Sequence, residues 1–146
     1  MARMQPQDLC RSGAEHGEQS ALFCWINSPE TRAELPALFN AQGRPKVFAV
    51  NNNAGTGDAI RGARAKMAGV QPGVGDMFLP LARHGVHGLF VEMKQRKFKG
   101  KKGGGLQDVQ VDFRAQVHAD GFGYAVAYGW EEAAAILRQY LAPPPR

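Results

Sequence analysis

The sequence is poor in cysteine and has no long apolar run. Its 146 residues contain two cysteines, Cys10 and Cys24, which are too few for a disulfide framework and agree with a reducing compartment. Neither belongs to a Cys-x-x-Cys pair, so nothing favours a zinc site. No apolar run approaches the roughly 18 residues that span a bilayer, and the N-terminus, with Gln5 and Gln7, has no secretory hydrophobic region. The sequence therefore predicts a cytoplasmic protein without membrane contact.

Positive charge is concentrated in one part of the chain. The sequence has 18 Lys and Arg against 13 Asp and Glu, a net charge of +5, which favours an anionic partner. Six of these cations fall within the nine residues 94–102 (KQRKFKGKK), called the basic segment below. Such a run is commonly a solvated, flexible loop, and this interpretation stays open beside nucleic-acid binding.

Hydrophobic spacing and turn residues predict a single α/β domain over residues 1–146. Helices are predicted at 12–27, 58–68 and 106–120 and from Trp130 onward, with a further helical turn within 33–40. Strands are predicted at 46–50, 76–81, 88–94 and 124–128. This order gives a sheet of about four strands with helices on both faces. Residues 1–11 and 142–146 are expected to be disordered tails.

Two of the predicted strands form a hairpin that brings acidic residues together. If the turn centres on His84, Asp76 lies opposite Glu92, roughly 5 Å away. Strand alternation sets Phe90, Glu92 and Lys94 on one face. Adjacent carboxylates repel unless a cation lies between them. Magnesium fits this pair because it prefers hard oxygen ligands.

This arrangement suits the hydrolysis of a phosphodiester. A bound metal polarises the phosphorus centre and generates hydroxide, while Lys94 either stabilises the developing charge or positions the attacking water. A surface hairpin that carries Asp76, Glu92 and Lys94 incidentally has the same spacing, because Glu-x-Lys on a strand is common. The spacing alone leaves both interpretations open.

Two polar residues on apolar helix faces bear on this choice. Gln110 lies one turn from Leu106 and Phe113 and needs a hydrogen-bond partner, which a strand end or an active-site edge can supply. Glu15 belongs either to a capping box with Ser12 or to the acidic part of the site.

Taken in order, these motifs resemble the VRR-NUC family, the virus-type replication and repair nucleases of the PD-(D/E)xK superfamily. The resemblance runs from about residue 15 to residue 141 and rests on Glu15-x3-Gln19, GVGD at 73–76, GLFVEMK at 88–94, the basic segment, Gln110 and DGFGYAVAYG-x-EEAAAIL. Family members commonly carry Pro-Asp in place of Gly75-Asp76, and often Pro-Asn-Gly where residues 51–55 read NNNAG.

The resemblance implies a restriction-endonuclease-like PD-(D/E)xK core with a mixed sheet, and a deoxyribonuclease that depends on Mg²⁺ or Mn²⁺. It implies metal binding by Asp76, Glu92 and the backbone carbonyl of Met93. It also implies a catalytic role for Lys94, a site-completing role for Gln110 and a helix-borne acidic role for Glu15.

The basic segment leaves the predicted active-site strand directly, so its cations are expected to contact DNA phosphates beside the scissile bond. These cations are Arg96, Lys97, Lys99, Lys101 and Lys102. The alternative is a non-catalytic nucleic-acid-binding module on a decayed nuclease fold. The retained Asp76, Glu92, Lys94 and Gln110 argue against decay.

Small stand-alone members of the family resemble Holliday-junction resolvases. This implies a homodimer that cuts branched DNA in DNA repair, in a bacterial or phage-infected host cell. Apolar residues of the first segments either line a dimer surface or belong to a helix pair that caps the sheet. They are Phe23, Trp25, Leu35, Leu38 and Phe39.

Overall fold

The computed structural model describes residues 3–50 and 59–146. The helices are α1 Pro6–Leu9, α2 Glu15–Ile26, α3 Pro29–Glu34, α4 Ala59–Met67, α5 Asp108–Ala119 and α6 Trp130–Leu141. The strands are β1 Phe48–Ala49, β2 Met77–Leu79, β3 Leu89–Lys94 and β4 Gly123–Tyr128. Short 3-10 turns lie at Pro36–Leu38, Arg96–Phe98 and Lys102–Gly105. The loop at 51–55 and the predicted helix start at 58 lie outside the described residues.

The strands form one mixed sheet in the order β1-β2-β3-β4. β1, β2 and β3 pair antiparallel, while β4 runs parallel to β3 and is reached through α5. Met77 pairs with Val91 and Leu79 with Leu89, which centres the hairpin on His84, where φ is +50°. β2 ends before its predicted limit because Pro80 has no amide to donate to a strand partner. The predicted mixed sheet of four strands flanked by helices is confirmed.

The hydrophobic core lies between the sheet and the α2–α6 helix pair. Alternate residues of β3, Leu89, Val91 and Met93, are buried on this face. α5 packs on the opposite face, where the ring centroids of Phe113 and Phe90 lie 5.0 Å apart. The remaining core is mainly aliphatic and includes Leu22, Ile26, Leu38, Met77, Leu79 and Leu137. The second face of β3 thus carries Phe90 in an aromatic cluster, followed by the buried polar residues Glu92 and Lys94.

The N-terminal region differs from the sequence expectation. The expected tail contains α1, which packs against α2, and Cys24 Sγ donates to the Met4 carbonyl at 3.4 Å. The N-cap of α2 is Ala14, and Ser12 Oγ accepts from the Ala14 amide at 3.3 Å. The predicted capping box of Ser12 with Glu15 is therefore wrong, because Ser12 lies two residues before the cap. Residues 143–146 form no helix or strand.

The apolar residues considered for a dimer surface pack against the core. Leu38 is fully buried, and Phe23, Trp25, Leu35 and Phe39 are partly buried against the core cluster. Two guanidinium groups cover exposed ring faces, with Arg138 at 4.9 Å from the Trp25 centroid and Arg32 at 4.6 Å from Phe39. These residues thus pack onto the core of this domain, and the predicted second helical segment contains a 3-10 turn at Pro36–Leu38.

The excursion between β1 and β2 begins and ends at adjacent points of the sheet. The Val50 amide donates to the Asp76 carbonyl at 2.8 Å, so both ends of this excursion are adjacent. It contains α4, whose Ile60 and Met67 are exposed and which makes no extensive contact with another described helix or strand. Across residues 3–50 and 59–146, every helix is too short or too polar to traverse a bilayer.

Candidate active site

Asp76 and Glu92 lie side by side at one end of the β2–β3 hairpin. The observed register, continued by one residue beyond Met77 and Val91, sets them opposite each other as the sequence predicts. The Met93 amide donates to Asp76 Oδ2 at 2.7 Å, which holds the Asp76 carboxylate against β3. The Glu92 side chain is buried, with 2% of the residue surface exposed.

Glu92 is held in place by side chains from β3 and α5. Lys94 Nζ lies 3.2 Å from Glu92 Oε1 and 3.9 Å from Glu15 Oε1. Gln110 Nε2 donates to the same Glu92 oxygen, while Gln110 Oε1 accepts from the Gln107 amide at 2.9 Å. The structure thus brings together all five side chains that the sequence selects as catalytic: Glu15, Asp76, Glu92, Lys94 and Gln110.

The second oxygen of Glu92 has no partner among the residues that the structure describes. Glu92 Oε2 is buried without a hydrogen bond from any described residue. The hydroxyl of Tyr124 is also buried without a hydrogen bond to any described residue. A buried polar atom without a partner loses its hydrogen bonds to water and gains none from the protein. Such atoms in one region are typical of a site that a ligand completes.

The two carboxyl groups share an environment that disfavours their charge. Burial raises the pKa of Glu92 to about 7, the charge of Asp76 adds to this effect, and Lys94 opposes it. Burial also raises the pKa of Asp76, against the hydrogen bond from the Met93 amide. A cation between the two groups would offset both their mutual repulsion and the free-energy cost of burying their charges.

The oxygen atoms of this pair fit a small divalent cation. Asp76 and the open oxygen of Glu92 are hard donors, and with the Met93 carbonyl they match the preference of Mg²⁺ or Mn²⁺ for oxygen. The part of the chain described here has no cluster of three or more His, Cys, Asp or Glu side chains able to hold a metal. The donor set therefore suits a cation that keeps several water ligands, as Mg²⁺ does, and not a closed cage.

Arg96, which the sequence predicts to bind DNA, is engaged within the protein. Its guanidinium donates to both carboxylate oxygens of Glu18, at 2.7 and 3.0 Å, and to Glu131. Glu18 Oε2 also accepts from the Trp130 amide at 2.8 Å. The start of the basic segment is therefore tied to α2 and α6.

The four lysines that follow Arg96 in the basic segment fall into two groups. Lys99 pairs with Glu132, whose second oxygen accepts from the Tyr128 amide at 2.8 Å. Three exposed lysines make no ion pair with a described carboxylate: Lys97, Lys101 and Lys102. Lys97 Nζ lies 5.1 Å from the Phe98 ring centroid. These three lysines carry the charge that is available to a partner.

Glu18 is the residue of this region that sequence reasoning missed. It is buried to 1% exposure. Burial raises the pKa of Glu18, but the hydrogen bonds from Arg96 and the Trp130 amide outweigh it and lower the pKa. The sequence pattern does indicate a partner for Glu18, because this charged residue shares an apolar helix face with Ala21 and Leu22, as Gln110 shares one with its neighbours.

Comparison with known proteins bears on the fold. No protein-family profile matches the chain, and no curated protein matches it. Among solved structures, a VRR_NUC domain protein is similar, with a TM-score of 0.62 and 21% identity over 87% of this chain and 87% of that chain. At this identity the likeness concerns the fold alone. The resemblance predicted from the order of the motifs is thus confirmed at that level, and the chain has the nuclease-like α/β fold of a VRR-NUC domain.

Proposed function

We propose that this protein hydrolyses phosphodiester bonds of DNA with a divalent cation, Mg²⁺ or Mn²⁺. The observation that carries the proposal is the state of the Glu92 side chain. It is buried beside Asp76, bound on one oxygen by Lys94 and Gln110, and open on the other. An oriented carboxylate with one free oxygen is what a cation site needs, and the nuclease-like fold supports a phosphodiester substrate.

Each side chain of the site has a role in this proposal. Asp76, Glu92 and the Met93 carbonyl hold the cation, which when bound polarises a phosphate oxygen and promotes attack by water. Lys94, 3.2 Å from Glu92 Oε1, orients the attacking water or stabilises the charge that develops on the phosphate. Gln110 fixes Glu92 from α5, and Glu15 holds Lys94 from α2.

Lysines of the basic segment contact the DNA backbone in this proposal. Lys97, Lys101 and Lys102 are exposed and unpaired among the described carboxylates, so they can bind phosphates by releasing counterions. Such contacts position the substrate without reading its sequence. Arg96 and Lys99 contribute less, because the protein's own carboxylates already neutralise them.

The finer proposals concern the substrate and the assembly. The resemblance supports branched DNA, cut by a homodimer in the cytoplasm of a bacterial or phage-infected cell. Light scattering with and without junction DNA tests the assembly. A mass near 15.8 kDa, that of one chain, under both conditions would contradict the homodimer.

The proposed activity is tested by cleavage of labelled DNA. Wild type and Glu92→Gln are incubated with a four-way junction, a flap, a linear duplex and a single strand, each with Mg²⁺, Mn²⁺ or EDTA. We expect products from wild type with either metal, and none with EDTA or with Glu92→Gln. Binding to every DNA without cleavage under any condition would contradict the proposal and favour the non-catalytic binding module.

A further inference from the structure

Tyr124 brings a hydroxyl group to the candidate active site from the neighbouring strand. In the parallel register of β3 and β4, Tyr124 pairs with Phe90, two residues before Glu92 on the same strand face. A Cβ atom added at Gly75 would lie 3.3 Å from Phe90 Cβ and 3.7 Å from Tyr124 Cε2. The Tyr124 ring therefore reaches across β3 to the residue that precedes Asp76.

The hydroxyl of Tyr124 is a donor without an acceptor. It is buried, and no described residue forms a hydrogen bond with it. Burial raises the pKa of Tyr124, the charges of Glu92 and Asp76 raise it further, and Arg114 opposes them, so the hydroxyl keeps its proton. A buried tyrosine normally finds a partner for this group. Glu92 Oε2 is an acceptor without a donor in the same site.

Tyr128, on the same face of β4, shows how a structural tyrosine is satisfied here. Its hydroxyl donates to the Gly104 carbonyl at 2.9 Å and so ties the end of β4 to the chain just after the basic segment. The two tyrosines differ in what their hydroxyl groups meet. The Tyr128 hydroxyl has the Gly104 carbonyl, whereas the Tyr124 hydroxyl has no described partner and lies within the electrostatic influence of Glu92 and Asp76. Tyr128 is therefore a matched control for Tyr124.

We propose that Tyr124 is a positioning residue of the cation site. When the cation is bound, its hydroxyl donates through one water to the open oxygen of Glu92 and orients that carboxylate toward the cation; the two groups form no direct hydrogen bond with each other. Lys94 and Gln110 fix one oxygen of Glu92 and Tyr124 fixes the other. The inference rests on the proposed function, because it requires that Asp76 and Glu92 hold a cation.

The role of Tyr124 is separated from catalysis by measuring metal binding without DNA. Titration calorimetry with MnCl₂ compares wild type, Tyr124→Phe and Tyr128→Phe. We expect the Kd of Tyr124→Phe to rise about 10-fold, as is typical when a partner that orients a metal ligand is removed. The Kd of Tyr128→Phe should equal that of wild type.

Thermal unfolding without metal gives a second readout that a structural tyrosine would not produce. Tyr124→Phe loses a hydroxyl that has no partner, so its Tm should equal or exceed that of wild type. Tyr128→Phe loses the bond to the Gly104 carbonyl, so its Tm should fall. The expected pattern is weaker metal binding without loss of stability for Tyr124, and the reverse for Tyr128.

The outcomes distinguish this inference from the proposed function. If wild type binds Mn²⁺ and Tyr124→Phe binds it equally well, the role of Tyr124 is wrong and the cation site stands. A metal-free Tm of Tyr124→Phe below that of wild type, with unchanged affinity, would mean that the tyrosine is structural. If wild type binds no Mn²⁺, the cation site itself is wrong, and the role of Tyr124 is wrong with it.

Discussion

Arg96 and Glu18 form a bidentate ion pair, with Nε–Oε1 and Nη2–Oε2 distances of 2.7 and 3.0 Å. Glu18 is buried on α2, and the Trp130 amide at the start of α6 donates to it as well. One carboxylate thus joins α2, α6 and the chain that leaves β3 after Lys94. Neither partner forms a hydrogen bond with Asp76 or Glu92, so the contact lies outside the candidate site.

The first prediction follows from this pair. Arg96→Ala removes the counterion of the buried Glu18 carboxylate. Because the Arg96 side chain is half exposed, water can partly replace it, and the free energy of unfolding should fall by about 2 kcal/mol. The control is Lys97→Ala, which removes an exposed neighbouring cation and should change stability by less than about 0.5 kcal/mol. Urea unfolding of the two variants and wild type measures both effects. Equal stability of the two variants would show that the ion pair contributes little.

The second prediction concerns pH and the metal-free protein. The pKa of Glu92 is about 7 in the folded state against 4.5 ordinarily, so the folded protein keeps a proton that the unfolded chain releases. The free energy of unfolding should therefore fall as pH rises from about 4.5 to about 7, by about 3 kcal/mol in total, and then level off. The raised pKa of Asp76 acts in the same direction.

Glu92→Gln is the control for this pH dependence, because it cannot release a proton. The pKa of Glu18 is lowered, so its effect is a loss of free energy of unfolding as pH falls below about 4.5, which is outside this window. Urea unfolding in EDTA from pH 5 to pH 8 should therefore give a decline for wild type and a flatter profile for Glu92→Gln. Parallel profiles would mean that Glu92 ionises normally in the folded protein.

The third prediction assigns the cutting centre. Asp76→Asn, Glu92→Gln and Lys94→Ala should each reduce the single-turnover cleavage rate by more than about 100-fold, because each removes a ligand or a charge next to the reacting phosphate. Circular dichroism should show the fold intact in all three. Lys102→Ala, an exposed cation outside the centre, should cleave at saturating DNA as wild type does. Near-normal turnover in any two of the three variants would refute the assignment.

The fourth prediction separates DNA binding from cutting. Binding should persist in EDTA, since phosphate contacts need no divalent ion. Replacing Lys97, Lys101 and Lys102 together by Ala should reduce the slope of log K against log salt by about 2.7 if each contacts one phosphate. Lys99→Ala alone should change the slope less, because Glu132 already neutralises Lys99.

Fluorescence anisotropy with a labelled duplex at several KCl concentrations measures these slopes. An unchanged slope in the triple variant would show that the basic segment points away from DNA. A Lys99→Ala effect as large as one third of the triple effect would show that its ion pair opens when DNA binds.

The sequence predicts the site best where the contacts are local. The β2–β3 register follows from one turn and strand alternation, so the juxtaposition of Asp76 and Glu92 is predictable without a structure. Gln110 is found by the mismatch of a polar amide on an apolar helix face. Both signals act within about 20 residues of chain.

The sequence fails where partners are distant or a local rule is overridden. Arg96 and Glu18 are 78 residues apart, so nothing in the basic segment reveals that Arg96 is already paired. Ser12 satisfies the capping-box pattern, yet α2 starts after Ala14. Tyr124 lies in a strand of Gly, Ala, Val and Tyr without a charged residue, and only the parallel register, which sets Tyr124 beside Phe90, relates it to the strand of Glu92.

The backbone bond between Val50 and Asp76 holds together the two ends of the excursion between β1 and β2. The entropy lost on closing such a loop grows only slowly with its length. A longer or shorter excursion therefore fits on the same two attachment points, and the hairpin that carries the carboxylates does not have to be rebuilt. A change of length at this place, which adjoins Asp76, would therefore leave the position of Asp76 opposite Glu92 unchanged.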